Sequence, residues 1–171
     1  QDRIGIAVVL AAAFVAVPLL APNYWLNSIL LPLLIYALAA IGLNILTGYA
    51  GQLSLGTGGF MATGAFATYK LTTALPELHF VVVLLLAGVI TALVGVLFGL
   101  PSLRIKGFYV AVATLAAQFF LVWLYNKQPW FTNYSPSGVI SAPPREVLPG
   151  VVVTGSTASP VAKYLFVLTL V

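Results

Sequence analysis

Long apolar runs alternate with short polar segments along the whole chain. Six runs can be delimited: Ile4–Leu20, Leu26–Leu46, Gln52–Leu75, Phe80–Leu100, Gly107–Tyr125 and a last one from Val161 onwards. A helix that crosses a membrane needs about 20 mostly apolar residues. The pattern therefore predicts an all-α, polytopic transmembrane bundle with about five complete spans and the start of a sixth. We expect residues 1–171 to form one transmembrane domain, the N-terminal part of a longer subunit.

Composition supports the membrane assignment and excludes several functions. Hydrophobic residues make up 61% of the 171 positions and charged residues only 6%, against roughly 25% charged residues in soluble domains. The net charge of +4 comes from Lys and Arg near the ends of apolar runs, which does not suggest nucleic-acid binding. The chain has no cysteine, one histidine (His79), no P-loop and no G-x-S-x-G motif. We therefore predict no enzymatic activity, no metal site and no cofactor.

The short basic loop around Arg104 and Lys106 predicts the orientation of the chain. Short loops rich in Lys and Arg favour the cytoplasm, and counting back through the spans places the N-terminus on the same side. The total charge does not support this orientation, because Lys70, Lys127 and other cations then lie outside. Charges in the long 126–160 loop weigh less.

The segment Leu43–Gly64 contains six glycines and several hydroxyl residues between apolar runs. Two interpretations remain open. The glycines can serve close helix packing, or they can mark a broken helix beside a translocation pathway, since irregular backbone at membrane depth must be satisfied by protein or by a water-filled cavity. On the second interpretation, the candidate pathway residues are Asn44, Gly48, Gly51, Gln52, Ser54 and Gly56.

Other small and polar residues suggest contacts between helices. Gly88, Ala92, Gly95 and Gly99 form a stripe in the fourth run, for which we expect packing within the subunit rather than dimerisation. Asn44 and Gln118 are amides inside apolar runs, so each should hydrogen-bond to a neighbouring helix or line a cavity. The 126–160 loop carries aromatic residues at 130, 131 and 134, which suit a membrane interface or, alternatively, a docking surface for a soluble partner.

Two blocks carry a family resemblance. GLNILTGYAGQLSLGTGGFMATGAFAT at 42–68 and LPSLRIKGFYVAVATLA at 100–116 resemble the LivM-type permease subunits of branched-chain amino acid ABC importers, whose relatives include urea-type importers. The pattern is G-L-N-L-L-x-G-Y-x-G-Q-x-S-L-G followed by L-R-x-[RK]-G-x-Y-x-A-x-x-T-L. The chain departs from the family where a glycine-rich stretch is expected and NYSPSGVISAPP stands at 133–144. This departure leaves the solute open.

The resemblance implies a permease in the bacterial inner membrane that translocates branched-chain or related amino acids. It also implies four kinds of partner besides membrane lipid: a second permease subunit, cytoplasmic ABC ATPase subunits, an extracytoplasmic solute-binding protein and the amino-acid substrate. Arg104, Lys106 and Gly107 are candidates for coupling to the ATPase, although both cations can simply reflect the positive-inside rule. The alternative functions are an ion-coupled secondary transporter or facilitator and, less favoured, a membrane protein with only a structural role.

Overall fold

The computed structural model describes residues 5, 11–102, 108–135, 140–148 and 150–171. Most of these residues are helical. We number the helices α1 (Val17–Leu20), α2 (Asn23–Tyr49), α3 (Thr57–Ala74), α4 (Phe80–Ser102), α5 (Phe108–Lys127) and α6 (Pro160–Leu170). The predicted runs from the second to the sixth each correspond to one of these helices.

Two prolines are accommodated by widened helical turns. A π turn at Ala12–Ala16 leads into α1 and ends two residues before Pro18, and α2 contains a π turn at Leu26–Leu30 that ends two residues before Pro32. Proline has no N–H to donate, and its ring clashes with the carbonyl four residues earlier. A π turn shifts the hydrogen bonds by one residue and widens the helix there. The helix therefore continues past Pro32, as the sequence predicted.

Three helices in the described part of the chain are long and apolar enough to cross a membrane. They are Asn23–Tyr49, Phe80–Leu100 and Tyr109–Lys127. Helix α6 is apolar but has only 11 residues. Helix α3 has 18 residues, with threonines, glycines and Lys70 among them. The chain is thus a multi-pass, mainly helical protein, and the predicted number of spans stays a prediction.

A short hairpin in the loop before α6 was not predicted. Strand β1 (Glu146–Leu148) pairs antiparallel with β2 (Val151–Val152), with an irregular register between the two paired positions. Gly150 adopts a φ of +86° at the turn, and its N–H donates to Glu146 Oε2 over 3.2 Å. The prediction of an all-α fold therefore holds for the framework, but not for this loop.

The chain divides into two compact units, residues 1–40 with 144–171 and residues 41–143. The first unit has a small core of Leu26, Leu34 and Tyr164, where α6 packs against the π turn of α2. The Tyr164 hydroxyl donates to the carbonyl of Ala13 over 3.1 Å. This hydrogen bond ties α6 to the π turn that precedes α1.

The second unit is built around α3, which packs against both α4 and α5. Its buried positions are Gly59, Thr63 and Thr72 on α3, Phe80, Val83 and Ala87 on α4, and Val110, Ala111, Ala117, Leu121 and Tyr125 on α5. Many large apolar side chains of α4 and α5 point outward instead; Leu85 and Phe119, for example, are each 67% exposed. Such an apolar exterior is typical of helices that face lipid or other apolar helices.

Candidate functional site

The glycine-rich segment contains a break between two helices. Helix α2 ends at Tyr49 and α3 begins at Thr57, so that residues 50–56 have no regular secondary structure. Gly51 has a φ of +63°, a left-handed conformation that glycine adopts without the steric cost borne by other residues. The break was one of the two interpretations of the sequence, and it is present.

Two hydroxyl groups satisfy backbone N–H groups at the end of the break. The Ser54 Oγ accepts from the N–H of Gly56 over 3.3 Å, and the Thr114 Oγ1 accepts from the N–H of Leu55 over 2.9 Å. Thr114 also donates to the carbonyl of Ala111 in its own helix over 2.9 Å. A single threonine of α5 therefore holds the point at which the chain re-enters a helix. Thr114 does not stand out in the sequence, because a threonine in an apolar run is not distinctive.

Glycines at the start of α3 allow the backbones of α3 and α5 to approach closely. A Cβ added to Gly56 would lie 2.9 Å from the Thr114 carbonyl oxygen, and one added to Gly59 would lie 3.0 Å from the Cα of Gln118. At Gly58 the nearest atom would be Gln118 Oε1, at 3.2 Å. Close helix packing and a helix break therefore both occur, each in a different part of the glycine-rich segment, and the translocation pathway stays a prediction. Gln118 lies against α3, and its predicted hydrogen bond or place in a cavity lining stays a prediction.

A cavity of about 250 Å³ lies beside the break. Its polar lining consists of Gln52, Ser54 and Thr114, and its apolar lining includes Leu46, Phe60 and Phe98. Gln52 and Ser54 are half-buried. The described residues form no cluster of three or more His, Cys, Asp or Glu side chains, so amides, hydroxyls and backbone groups supply the polar chemistry here.

The candidate pathway residues are only partly brought together. Gln52 and Ser54 line the cavity, and Gly56 is buried against α5 next to it. Asn44, Gly48 and Gly51 are exposed in the described part of the chain, and the Asn44 Oδ1 lies 3.7 Å from a Cβ added to Gly48. The candidate coupling residues Arg104, Lys106 and Gly107 lie outside the described residues.

The stripe of small residues on α4 does not provide the expected packing. No described heavy atom lies within 4 Å of a Cβ added to Gly88, Gly95 or Gly99, apart from the helix's own backbone and adjacent residues. Gly95 and Gly99 instead border the cavity beside the break. Ala117 on α5 is buried, in agreement with packing within the subunit.

An aromatic cluster closes the other end of the same helices. It consists of Phe66, Tyr125, Trp130 and Phe131, with Phe66 stacked on Tyr125 at 4.8 Å and Phe131 meeting Tyr125 edge-on at 4.8 Å. The Tyr125 hydroxyl donates to Thr63 Oγ1 over 2.7 Å, and Thr63 donates to the Gly59 carbonyl over 2.9 Å. Of the loop aromatics, Phe131 therefore packs on α3 and α5, whereas Trp130 and the side chain at 134 remain mostly exposed.

Comparison with known proteins identifies close relatives for part of the chain. The LivM high-affinity branched-chain amino acid permease protein of Salmonella typhimurium (strain LT2) is 44% identical over 82 residues, which are 48% of this chain and 19% of the relative. The LivM protein of Escherichia coli (strain K12) is 43% identical over 82 residues, with the same coverage. The aligned part thus spans about a fifth of these relatives. No solved structure matches the chain significantly.

The family model described as "Branched-chain amino acid transport system / permease component" matches residues 25–171. This match includes both sequence blocks that carry the resemblance, the helix break and all of α3, α4, α5 and α6. Since it covers well over half of the chain, the protein belongs to the family of branched-chain amino acid transport permease components.

Proposed function

We propose that this chain is the membrane-spanning permease subunit of an ABC importer in the bacterial inner membrane. It translocates branched-chain or related amino acids, and ATP hydrolysis in partner subunits drives the movement. The observation that carries this proposal is the family match over residues 25–171. The names of the two LivM relatives support the choice of substrate class. The chain itself then performs transport and no enzymatic reaction.

The helix break between α2 and α3 lies on the translocation pathway in this proposal. Its candidate residues are Asn44, Gly48, Gly51, Gln52, Ser54 and Gly56. Gln52 and Ser54 line a cavity of about 250 Å³, and hydroxyl groups cap the irregular backbone. Polar groups of this kind can hydrogen-bond a solute and its hydration water where lipid offers no partner.

The break belongs at membrane depth if α3 is itself a span. Its 18 residues extend about 27 Å at 1.5 Å per residue, close to the roughly 30 Å of a hydrocarbon core. Helix α3 also packs between α4 and α5, both of which contain a candidate span. We therefore propose five complete spans and the start of a sixth, with the N-terminus and the 103–107 loop in the cytoplasm.

The partners of the proposed importer follow from its function as an ABC permease. They are a second permease subunit, cytoplasmic ABC ATPase subunits and an extracytoplasmic solute-binding protein. The loop with Arg104, Lys106 and Gly107 is the candidate contact with an ATPase subunit, because its cations can pair with acidic groups. Charge reversal at Arg104 and Lys106 should then lower substrate-stimulated ATPase activity. Unchanged activity and assembly would leave the loop as a determinant of orientation only.

Uptake by proteoliposomes tests the proposal. The full-length permease is reconstituted with its ATPases and binding protein and offered labelled leucine, urea and an aromatic amino acid. We expect leucine to accumulate inside the vesicles only when the ATPase subunits face the vesicle interior and ATP is present there. Uptake driven by an ion gradient in vesicles without the ATPases would instead establish the secondary transporter, and uptake of urea alone would refute the substrate class.

A further inference from the structure

A second, larger groove runs along the outside of the second unit, between α3, α4, α5 and the turn at 129–134. Its volume is about 790 Å³, within the roughly 300–1,000 Å³ of ligand-binding pockets. Apolar side chains from all three helices form most of its wall, and Leu97 (66% exposed) and Phe120 (47% exposed) show that it opens to the surroundings. We call this feature the lateral groove.

One end of the lateral groove carries a positive charge. Among the described residues that line it, Lys70 alone is charged at neutral pH. The Lys70 Nζ lies 4.1 Å from the centre of the Trp130 ring and donates to Asn133 Oδ1. Both partners are uncharged, so they orient the ammonium group without neutralising it.

The turn that carries these partners is fixed on α3. Asn133 Nδ2 donates to the Tyr69 hydroxyl over 3.2 Å, and the ring of Phe131 packs edge-on against Phe66 at 6.0 Å. The backbone at Asn133 and Tyr134 is left-handed, with φ values of 51° and 58°. A bulky residue such as tyrosine rarely adopts this conformation unless its surroundings impose it. The charged end of the groove is therefore preorganised.

We propose that the lateral groove binds an anionic phospholipid, with an acyl chain along its apolar wall and the phosphate group at Lys70. The phosphate group supplies the negative charge that the neutral partners of Lys70 lack. An acyl chain is apolar, like the side chains that line the groove. Tryptophan and lysine are also the residues that anchor protein to lipid headgroups at the membrane interface. This lipid site does not include Gln52 or Ser54 of the proposed pathway, although Phe98 lines both cavities.

Two other occupants fit the groove less well. A zwitterionic amino acid would place its ammonium group in a lining whose single charge, among the described residues, is also positive. An apolar helix, from a second copy or from another subunit, would cover Lys70 without providing a counter-charge, which is costly. The positive charge at the groove's end therefore favours the lipid.

Native mass spectrometry of the full permease complex tests the site. The detergent-purified complex is stripped of lipid and titrated with phosphatidylglycerol or, in parallel, phosphatidylethanolamine. We expect tighter retention of phosphatidylglycerol, and a roughly fivefold loss of this retention in Lys70→Gln, since one cation near the headgroups contributes about that factor. Lys127→Gln removes an exposed cation of α5 outside the groove lining and should change little.

A second pair of variants keeps Lys70 and changes the apolar wall. Ala67 lines the groove, whereas Ala65, two residues earlier on α3, is exposed and does not line it. Ala67→Leu should therefore weaken retention of phosphatidylglycerol, and Ala65→Leu should leave it unchanged. Equal retention in Lys70→Gln, Ala67→Leu and the parent protein would refute the site.

A photoreactive amino acid at position 97 identifies what covers the groove in the membrane. The proposal expects crosslinks to phospholipid. Crosslinks mainly to another protein chain, whether a second copy or a different subunit, would overturn it. Equal retention of phosphatidylglycerol and phosphatidylethanolamine in the titration would also overturn it, because Lys70 would then confer no selectivity.

Discussion

The two parts of the glycine-rich segment use glycine for different physical reasons. In the first part, from Gly48 to Gly51, an added Cβ would find open space among the described residues. The nearest described atom at Gly48 is Asn44 Oδ1, at 3.7 Å, and no described atom lies within 4 Å at Gly51. In the second part, from Gly56 to Gly59, a Cβ would collide with the backbone of α5 at 2.9–3.0 Å. Gly51 is needed for its left-handed backbone, whereas Gly56 and Gly59 are needed for close approach.

This difference separates an open part of the break from a packed part. Open space around Gly48 and Gly51 leaves that part of the break free to contact water, solute or another helix. The second part is locked onto α5 by packing and by the Leu55–Thr114 hydrogen bond. Helices α3 and α5 are thus joined at the second part of the break, whereas the first part makes no such contact with the described atoms. Four substitutions, ordered by expected effect, test this comparison.

Gly56→Ala should have the largest effect. The new Cβ would lie 2.9 Å from the Thr114 carbonyl oxygen and 3.3 Å from the Thr114 Cβ, and a backbone carbonyl cannot move aside cheaply. Overpacking of this kind costs about 1–3 kcal/mol. We expect a lower thermal unfolding midpoint of the purified complex and loss of most leucine uptake, with normal membrane insertion. Gly48→Ala is the matched control and should retain the parent midpoint; equal midpoints for both variants would contradict the comparison.

Thr114→Val should loosen the end of the break. Valine keeps the shape of threonine but removes the acceptor for the Leu55 N–H, and the lost hydrogen bond should cost up to about 1.5 kcal/mol. Hydrogen exchange at the Leu55 amide should accelerate, and uptake should fall. Thr91→Val is the control, because the Thr91 hydroxyl donates to Ala87 within its own helix. Unchanged exchange at Leu55 would show that Thr114 does not hold the break.

Gly51→Ala should destabilise the complex by ~1 kcal/mol, because a side chain disfavours the left-handed conformation at φ +63°. Gly51→Asn should recover much of this loss, since asparagine tolerates that conformation better than alanine. The measurement is the thermal midpoint of both variants in the same detergent. If the Gly51→Ala and Gly51→Asn variants had the same midpoint, steric contact rather than backbone conformation would explain the requirement for glycine at position 51.

Tyr125→Phe should have the smallest effect. It removes the hydrogen bond to Thr63 while the ring remains stacked on Phe66. Interhelical hydrogen bonds in membranes average ~0.6 kcal/mol, so the midpoint should fall slightly and uptake should persist. Abolished uptake with an unchanged midpoint would instead place Tyr125 in the pathway and contradict a purely structural contact.

The sequence alone predicted much of the helical framework. Apolar runs of about 20 residues predicted α2, α4 and α5 near their observed ends, because the length of an apolar run is a local property. The two blocks at 42–68 and 100–116 predicted the family, which the family match confirms. The two-stranded hairpin at 146–152 was missed, since five strand residues leave little local pattern.

The candidate site was predicted less completely. Gly51, Gln52 and Ser54 were named because glycine and polar residues stand out within an apolar run, and the latter two do line a cavity. Thr114 was missed although it holds the break, because its partner Leu55 is 59 positions away. Lys70 was interpreted as one of several flanking cations, since the sequence does not show that Trp130 and Asn133 come to lie beside it.

The sequence by itself determined the class of protein and its long apolar helices, and it marked the glycine-rich segment with a helix break and close packing as the two alternatives. Each of these depends on the hydrophobicity and backbone freedom of consecutive residues. Tertiary structure alone decided which glycines are packed and which are open, because a glycine's lack of a side chain is the same in both cases. Helix α5 packs against α3 through residues about 60 positions apart in the sequence. Because of this packing, Gly56 is a site of close helix contact, whereas Gly51 serves only as a turn.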